Sequence, residues 1–193
     1  ATMLQAWNEN LASIPWQIAL QQFNLLDSHD TPRLLTLLNG EKALSQLAAI
    51  AQFTFPGVPC LYYGDEIGLT NEEGFDSRNC FPWDEDQWDQ KSLDFYKKLI
   101  TLRRTSLALA RGELRVLHYN QDLVVYARVL GEEWVLVTAN RSEQAHPVVR
   151  LDVPALNLVG ERDFIALIGS GRIKAGNGWL DLPELSKGGE VWH

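Results

Sequence analysis

Apolar positions in the first half of the chain either recur at helical spacing or gather in short runs that end in polar residues. Leu44, Leu47, Ala48 and Ala51 stand three to four residues apart and predict a core-facing helix over residues 41–53. Ahead of it, Phe23-Asn24-Leu25-Leu26 is an apolar run that stops at Asp27-Ser28-His29-Asp30. Thr31-Pro32 then reads as an N-cap with proline in the first helical turn. Val58-Pro59-Cys60-Leu61-Tyr62-Tyr63 repeats the design and stops at Gly64-Asp65-Glu66. A polar loop over residues 70–90 leads into a second helical pattern over 92–104. Strand, helix, strand, loop, helix in that order predicts parallel strands with crossover helices, whose ligand sites gather at the carboxyl ends of the strands.

From Gly112 the period changes to two. Runs over 114–119, 123–130, 134–139, 148–153, 163–168 and 178–182 are separated by turn residues, and Val191-Trp192 closes the series after Gly188-Gly189. These strands predict a small antiparallel sandwich or barrel. The chain therefore divides into an α/β part over 1–110 and an all-β part over 111–193.

With 193 residues, 46% hydrophobic and 22% charged, the chain has room for a sizeable core and is not a disordered segment. A formal net charge of −8 opposes binding to phosphate backbones, so no nucleic-acid partner is expected. No stretch approaches the length of a membrane span and the opening ATMLQAWNEN has no leader-like pattern, which predicts a soluble, cytoplasmic protein without a membrane partner. Cys60 and Cys80 form neither a metal spacing nor a disulfide framework; they favour a reducing compartment and leave a single bridge open. Ala1 at the start and Met3 as the only methionine point to a piece of something longer.

Candidate chemistry lies where polar groups crowd the two strand ends: Asp27, His29 and Asp30 after the first, Asp65 and Glu66 after the second. On parallel neighbours they share a rim, where a carboxylate beside a histidine can stabilise positive charge, orient a hydroxyl or help bind a metal. The plainer reading is that the Asp before Thr31-Pro32 helps cap a helix and that Asp65 and Glu66 finish a turn after Gly64. Tyr62, Tyr63, Phe75, Phe81, Trp83 and Trp88 add rings around the same strand end, either as a sugar-binding wall or as loop anchors. There is no phosphate loop, dinucleotide fingerprint or zinc spacing. Ser28 beside His29 does not make a triad, because neighbouring strand residues point to opposite faces.

The segments from Phe23 to Thr31 and from Gly57 to Glu66 resemble two signature segments of the α-amylase family of glycoside hydrolases. Within it, residues 55–70, the segment Asp76-Ser77-Arg78-Asn79-Cys80-Phe81-Pro82-Trp83-Asp84 and the helix to Arg104 are most similar to maltodextrin glucosidases, cyclomaltodextrinases and neopullulanases. The resemblance implies the seventh and eighth strand-helix units of a (β/α)8 barrel over 1–110, followed by the β-sandwich called domain C over 111–193. It implies that Asp30 is the family's third carboxylate, which binds sugar hydroxyls and stabilises the transition state, with His29 as its partner. Arg78 resembles the arginine of the innermost sugar subsite, where its guanidinium would pair bidentately with a carboxylate. Asp76 stands near where relatives carry an acid. Arg33 matches a basic position of many relatives, but on a new helix it reads equally as a surface pair and stays outside the candidate site.

In such retaining enzymes a separate Asp forms the glycosyl-enzyme bond and a Glu protonates the leaving oxygen. Neither has a counterpart in this chain. The expectation is thus the carboxyl-terminal part of an α-1,4-glucan-cleaving glycosidase, silent alone and folded with the missing amino-terminal part of its enzyme. Its substrate would be an α-glucan oligosaccharide. No cofactor is indicated, calcium is left to the missing part, and a homo-oligomer is open. The competing expectation is a non-catalytic amylase-like scaffold or carbohydrate-binding protein.

Overall fold

A computed structural model describes residues 3–71, 77–154 and 156–193. The first half runs α1 (Met3–Ser13), α2 (Trp16–Ala19), β1 (Phe23–Asn24), α3 (Leu34–Leu37), α4 (Lys42–Thr54), β2 (Val58–Pro59), α5 (Gln90–Thr105) and α6 (Leu107–Arg111). The second half is all strand: β3 (Glu113–Tyr119), β4 (Leu123–Leu130), β5 (Glu133–Asn140), β6 (Val149–Asp152), β7 (Arg162–Ile168), β8 (Arg172–Gly176), β9 (Trp179–Leu182) and β10 (Gly188–Trp192). Among the described residues, no helix is long and apolar enough to cross a membrane.

β1 and β2 pair in parallel, Phe23 with Val58 and Asn24 with Pro59, as the alternation of elements predicts. Their close approach depends on Gly57, at φ 124°, where a Cβ would fall 2.6 Å from Asn24 Oδ1 and 2.7 Å from the Gln22 carbonyl. Gln52 of α4 bridges the two strands from beneath, its Nε2 donating to the carbonyls of Asn24 (3.0 Å) and Cys60 (2.9 Å). Cys60 and Cys80 are both free thiols, so the bridge left open by the sequence is not made.

All eight strands of the second half belong to one antiparallel sheet in the order β3-β4-β5-β10-β7-β8-β9-β6. The two faces that a sandwich opposes are here two halves of one sheet, joined through β10 and β7 and closed over a core that includes Val125, Leu136, Leu156, Ile173, Leu180 and Trp192. β4 and β5 are buried on both faces. Val125, Ala127 and Val129 point into the sheet's own core, whereas Tyr126, Val135 and Val137 face the helices. That second layer joins the halves: Ile50 and Phe53 of α4, Leu99 of α5 and Leu109 of α6 pack on Tyr126, Val137 and Val191. Full burial of side chains such as Ile50 and Leu99 contributes about 2 kcal/mol each.

The face of α4 expected to be most buried is only half-buried. Leu47, Ala48 and Ala51 line a cleft of ≈ 450 Å³ with Trp7 and Phe55, while Ala49, Ile50 and Phe53 are the residues pressed onto the sheet. A helix packed on two sides buries a broader arc than one periodic stripe reveals.

Backbone carbonyls at the end of α4 fall inside the layer between the halves and need donors. Arg128 of β4, fully buried, donates from Nη1 to Thr54 O at 2.7 Å and from Nη2 to Gly112 O at 2.7 Å. Arg103 of α5 donates to the carbonyls of Phe53, Phe55 and Gly57. Lys187 ties the halves at the rim, pairing with Glu41 and Glu143. Replacing Arg128 by Met fills the space but strands two buried carbonyls, and should cost about 3 kcal/mol of stability in urea unfolding. Arg141→Met, which removes an exposed pair with Asp122, should leave the midpoint unchanged; equal effects would show that the carbonyl contacts of Arg128 carry no stability.

Candidate active site

Because β1 and β2 run in parallel, the segments that follow them leave from the same edge of the pair. After β1 the chain forms a tight turn. Ser28 N–H donates to Thr31 Oγ1 at 2.8 Å, and Asp30 N–H donates to Ser28 Oγ at 3.2 Å. The Ser28 hydroxyl is thus occupied by the turn, and these residues are not strand as the argument against a triad assumed. The Thr31 hydroxyl is occupied too, so the expected N-cap is corrected. Arg33 holds the cap position of α3, and the carboxylate that receives a helix N–H is Asp27, whose Oδ2 accepts from Leu34 at 2.7 Å.

With Asp27 turned inward, His29 and Asp30 project outward. His29 Nε2 lies 3.1 Å from Asp30 Oδ2, and Arg78 Nη2 lies 2.8 Å from Asp30 Oδ1. All three are open to solvent, with side-chain exposures of 61%, 68% and 64%. The structure therefore brings together the three residues singled out in the sequence. Nε2 of His29 faces the carboxylate at donor distance. Each Asp30 oxygen holds one cationic or donor partner and keeps lone-pair capacity for an incoming hydroxyl.

Beneath this exposed trio lies a buried frame. Arg33 is fully buried and not the surface pair that its helical position allows. Its Nη1 donates to Tyr63 O (2.7 Å), Nη2 to Ser77 O (3.2 Å) and Nε to Asn79 Oδ1 (3.3 Å), and its guanidinium lies 4.8 Å from the ring centres of both Tyr62 and Tyr63. Tyr62 Oη donates to Ser77 O, Tyr63 Oη to Asn79 O, and Ser77 Oγ to His29 O at 3.0 Å. Gly64, at φ 93°, admits Leu69 where a Cβ would stand 2.4 Å from its Cδ1. Among these, Arg33 is the residue that sequence reasoning missed. Its partners lie 30 to 46 residues away, and no local pattern points to them.

Asp65 begins a 3-10 turn over Asp65–Ile67, and Glu66 closes it by accepting from Gly64 N–H at 2.7 Å, so the plainer reading of that pair holds for Glu66. Asp65 is buried. Its carboxyl is pushed up to about 8, first by burial and then by a hydrogen bond and repulsion from Asp27, against the pull of Arg33 at 3.7 Å. The Tyr96 hydroxyl, buried nearby without a hydrogen-bond partner, is also raised, by burial first and then by Asp65, Asp27 and Glu66.

Rings fall into two groups. Tyr62 and Tyr63 meet edge to face at 4.7 Å beside Arg33, while Phe81 meets Trp83 at 5.1 Å and Trp88 at 5.7 Å, with Trp83 itself 84% exposed. Phe75 and Asp76 lie outside the described residues. No cluster of three or more His, Cys, Asp or Glu side chains that could hold a metal occurs among the described residues.

The Asp65 carboxyl makes stability depend on pH. An unfolded carboxyl titrates near 3.8, so between there and about 8 the folded chain keeps a proton that the unfolded chain has shed. This contribution is whole below the unfolded value and is lost as pH rises through about 8. Asp65→Asn keeps a neutral group and should flatten the fall in thermal midpoint between pH 5 and pH 9; an unaltered fall would mean that Asp65 is ionised in the fold.

Residues 1–112 match the family model described as alpha amylase, catalytic domain. A cyclomaltodextrinase of Geobacillus thermopakistaniensis is 42% identical over 137 residues, covering 70% of this chain and 23% of the relative. Neopullulanase 2 of Thermoactinomyces vulgaris is 39% identical over 142 residues, covering 72% of this chain and 24% of the relative. A solved debranching enzyme of Nostoc punctiforme superposes with a TM-score of 0.84 at 33% identity, covering 98% of this chain and 39% of that one. The chain spans about a quarter of the length of the curated relatives that it matches. With a family model matching more than half of its residues, the chain belongs to the α-amylase family of glycoside hydrolases.

Proposed function

We propose that this chain is the carboxyl-terminal part of a retaining glycosidase that cleaves α-1,4-glucosidic bonds in maltodextrins. Residues 1–110 would be the seventh and eighth strand-helix units of a (β/α)8 barrel and residues 111–193 domain C. One observation carries the reading: Asp30 stands exposed at the rim of the parallel pair with His29 on one oxygen and Arg78 on the other. The relatives named cyclomaltodextrinase and neopullulanase support linear or cyclic α-glucans and pullulan as the substrate class.

In this reading Asp30 accepts hydrogen bonds from hydroxyls of the sugar being cleaved. Those bonds strengthen as the ring gains oxocarbenium character, which lowers the barrier without covalent attack. His29 and Arg78 flank the carboxylate, and Arg78 offers donors that help bind the same sugar. A nucleophilic Asp and a proton-donating Glu, about 5 Å apart in retaining enzymes, belong to the remainder of the enzyme. β1 and β2, each with an open edge, would pair there with further strands. Free Cys60 and Cys80 and the relative named intracellular maltogenic amylase support the cytoplasm as the place of action.

Maltotriose hydrolysis tests the reading in the longer enzyme. Asp30→Asn should lower kcat about a thousandfold with the fold intact by circular dichroism. Near-normal turnover would remove Asp30 from the site. The purified 21.8 kDa chain should be silent, and turnover by it would place the nucleophile and acid within these residues.

A further inference from the structure

We propose that Arg33 is a positioning residue that sets Arg78 against Asp30, by clamping both residues that flank Arg78 in sequence. The proposal rests on the reading of Arg78 as a sugar-binding residue. Ser77 and Asn79 are held from the buried side by the same guanidinium, through Nη2 to Ser77 O and Nε to Asn79 Oδ1. Tyr62 and Tyr63 hold the same two residues with their hydroxyls, on Ser77 O at 2.9 Å and Asn79 O at 2.7 Å, while both ring centres lie 4.8 Å from the guanidinium carbon. Ser77 is also pinned to the other side of the site, its hydroxyl donating to the carbonyl of His29.

With both neighbours tied inward, the side chain between them projects outward, where Arg78 Nη2 meets Asp30 Oδ1 at 2.8 Å. Arg33 thus joins the strand end that carries His29 and Asp30 to the loop that carries Arg78. A lysine cannot take its place, because an ammonium lacks the planar fork that serves three acceptors in different directions. Arg33 itself is fully buried and out of reach of a sugar. Its effect on the substrate must pass through Arg78.

The experiment compares Arg33→Lys, Arg78→Lys and the double variant in the longer enzyme with maltotriose. Arg33→Lys should raise KM about tenfold and leave kcat within about twofold, the signature of lost binding rather than lost chemistry. In the Arg78→Lys background it should add nothing further to KM. Multiplying effects, or an unchanged KM in a folded variant, would overturn the proposal. Should Arg33→Lys not fold, Tyr62→Phe and Tyr63→Phe remove the two hydroxyl attachments and keep the rings. Each should then raise KM about threefold, and only while Arg78 is present; no rise in either overturns the clamp. If Arg78→Lys alone leaves KM unchanged, it is the sugar-binding reading of Arg78 that fails. The clamp is then decided by a crystal structure of Arg33→Lys, or of Tyr63→Phe where the lysine variant is not folded. Loss of the contact between Arg78 and Asp30 upholds it, and its retention at 2.8 Å refutes it.

Discussion

The arrangement of the chain depends on how the end of α4 is satisfied. A helix leaves its last carbonyls without internal partners, and here those groups sit in the dry layer between the helices and the sheet. Two arginines fill the need. Arg128 reaches Thr54 from β4 and Arg103 reaches Phe53, Phe55 and Gly57 from α5. Burial pulls Arg128 down to about 10, which still leaves it protonated near neutrality. A buried positive charge at the negative end of a helix is well placed, and bonding to carbonyls spares the layer a second buried ion. The direction in which the chain leaves α4 and enters β2 follows from these contacts.

That direction fixes what comes after. β2 lies in parallel beside β1 because Gly57 lets the backbones close together and Gln52 ties them from below. The strand ends then share a rim, and the division of labour there is between buried and exposed polar groups. Asp27 and Asp65 turn inward and shape turns, while His29 and Asp30 turn outward and stay wet. Apolar layers hold the halves together, yet the placing of the exposed groups is left to directional bonds, which apolar contacts cannot supply.

Much of this is legible in the sequence, for reasons that differ by element. The strands of the second half are readable because two-residue alternation reports a pleat directly, and the parallel pair follows from strand-helix-strand order. β8 escapes because Arg-Ile-Lys-Ala-Gly offers one large apolar residue in five and gives alternation little to register. The depth of α4 is misjudged because periodicity marks its half-covered stripe and not the face met by a distant sheet. The helix cap moves from Thr31 to Asp27 because a four-residue turn takes the threonine hydroxyl first. His29, Asp30 and Arg78 are singled out through resemblance of contiguous segments. Arg33 matches a basic position of relatives in the same way, but its burial is not legible, since one guanidinium reaching Tyr63, Ser77 and Asn79 has no contiguous signature.

The same contrast bears on how a site can be built across a long chain. Asp30 and Arg78 sit on different loops, 48 positions apart, and open to solvent, where an ion pair by itself contributes little order. Their meeting at 2.8 Å needs a cause stronger than their own attraction. The buried frame supplies it: Arg33, Tyr62, Tyr63 and the carbonyl of His29 hold Ser77 and Asn79 on either side of Arg78. Under the proposed function, one wall of the sugar subsite is therefore assembled within these residues. Under the same reading the nucleophile, the acid and the opposite wall would come from the remainder of the enzyme.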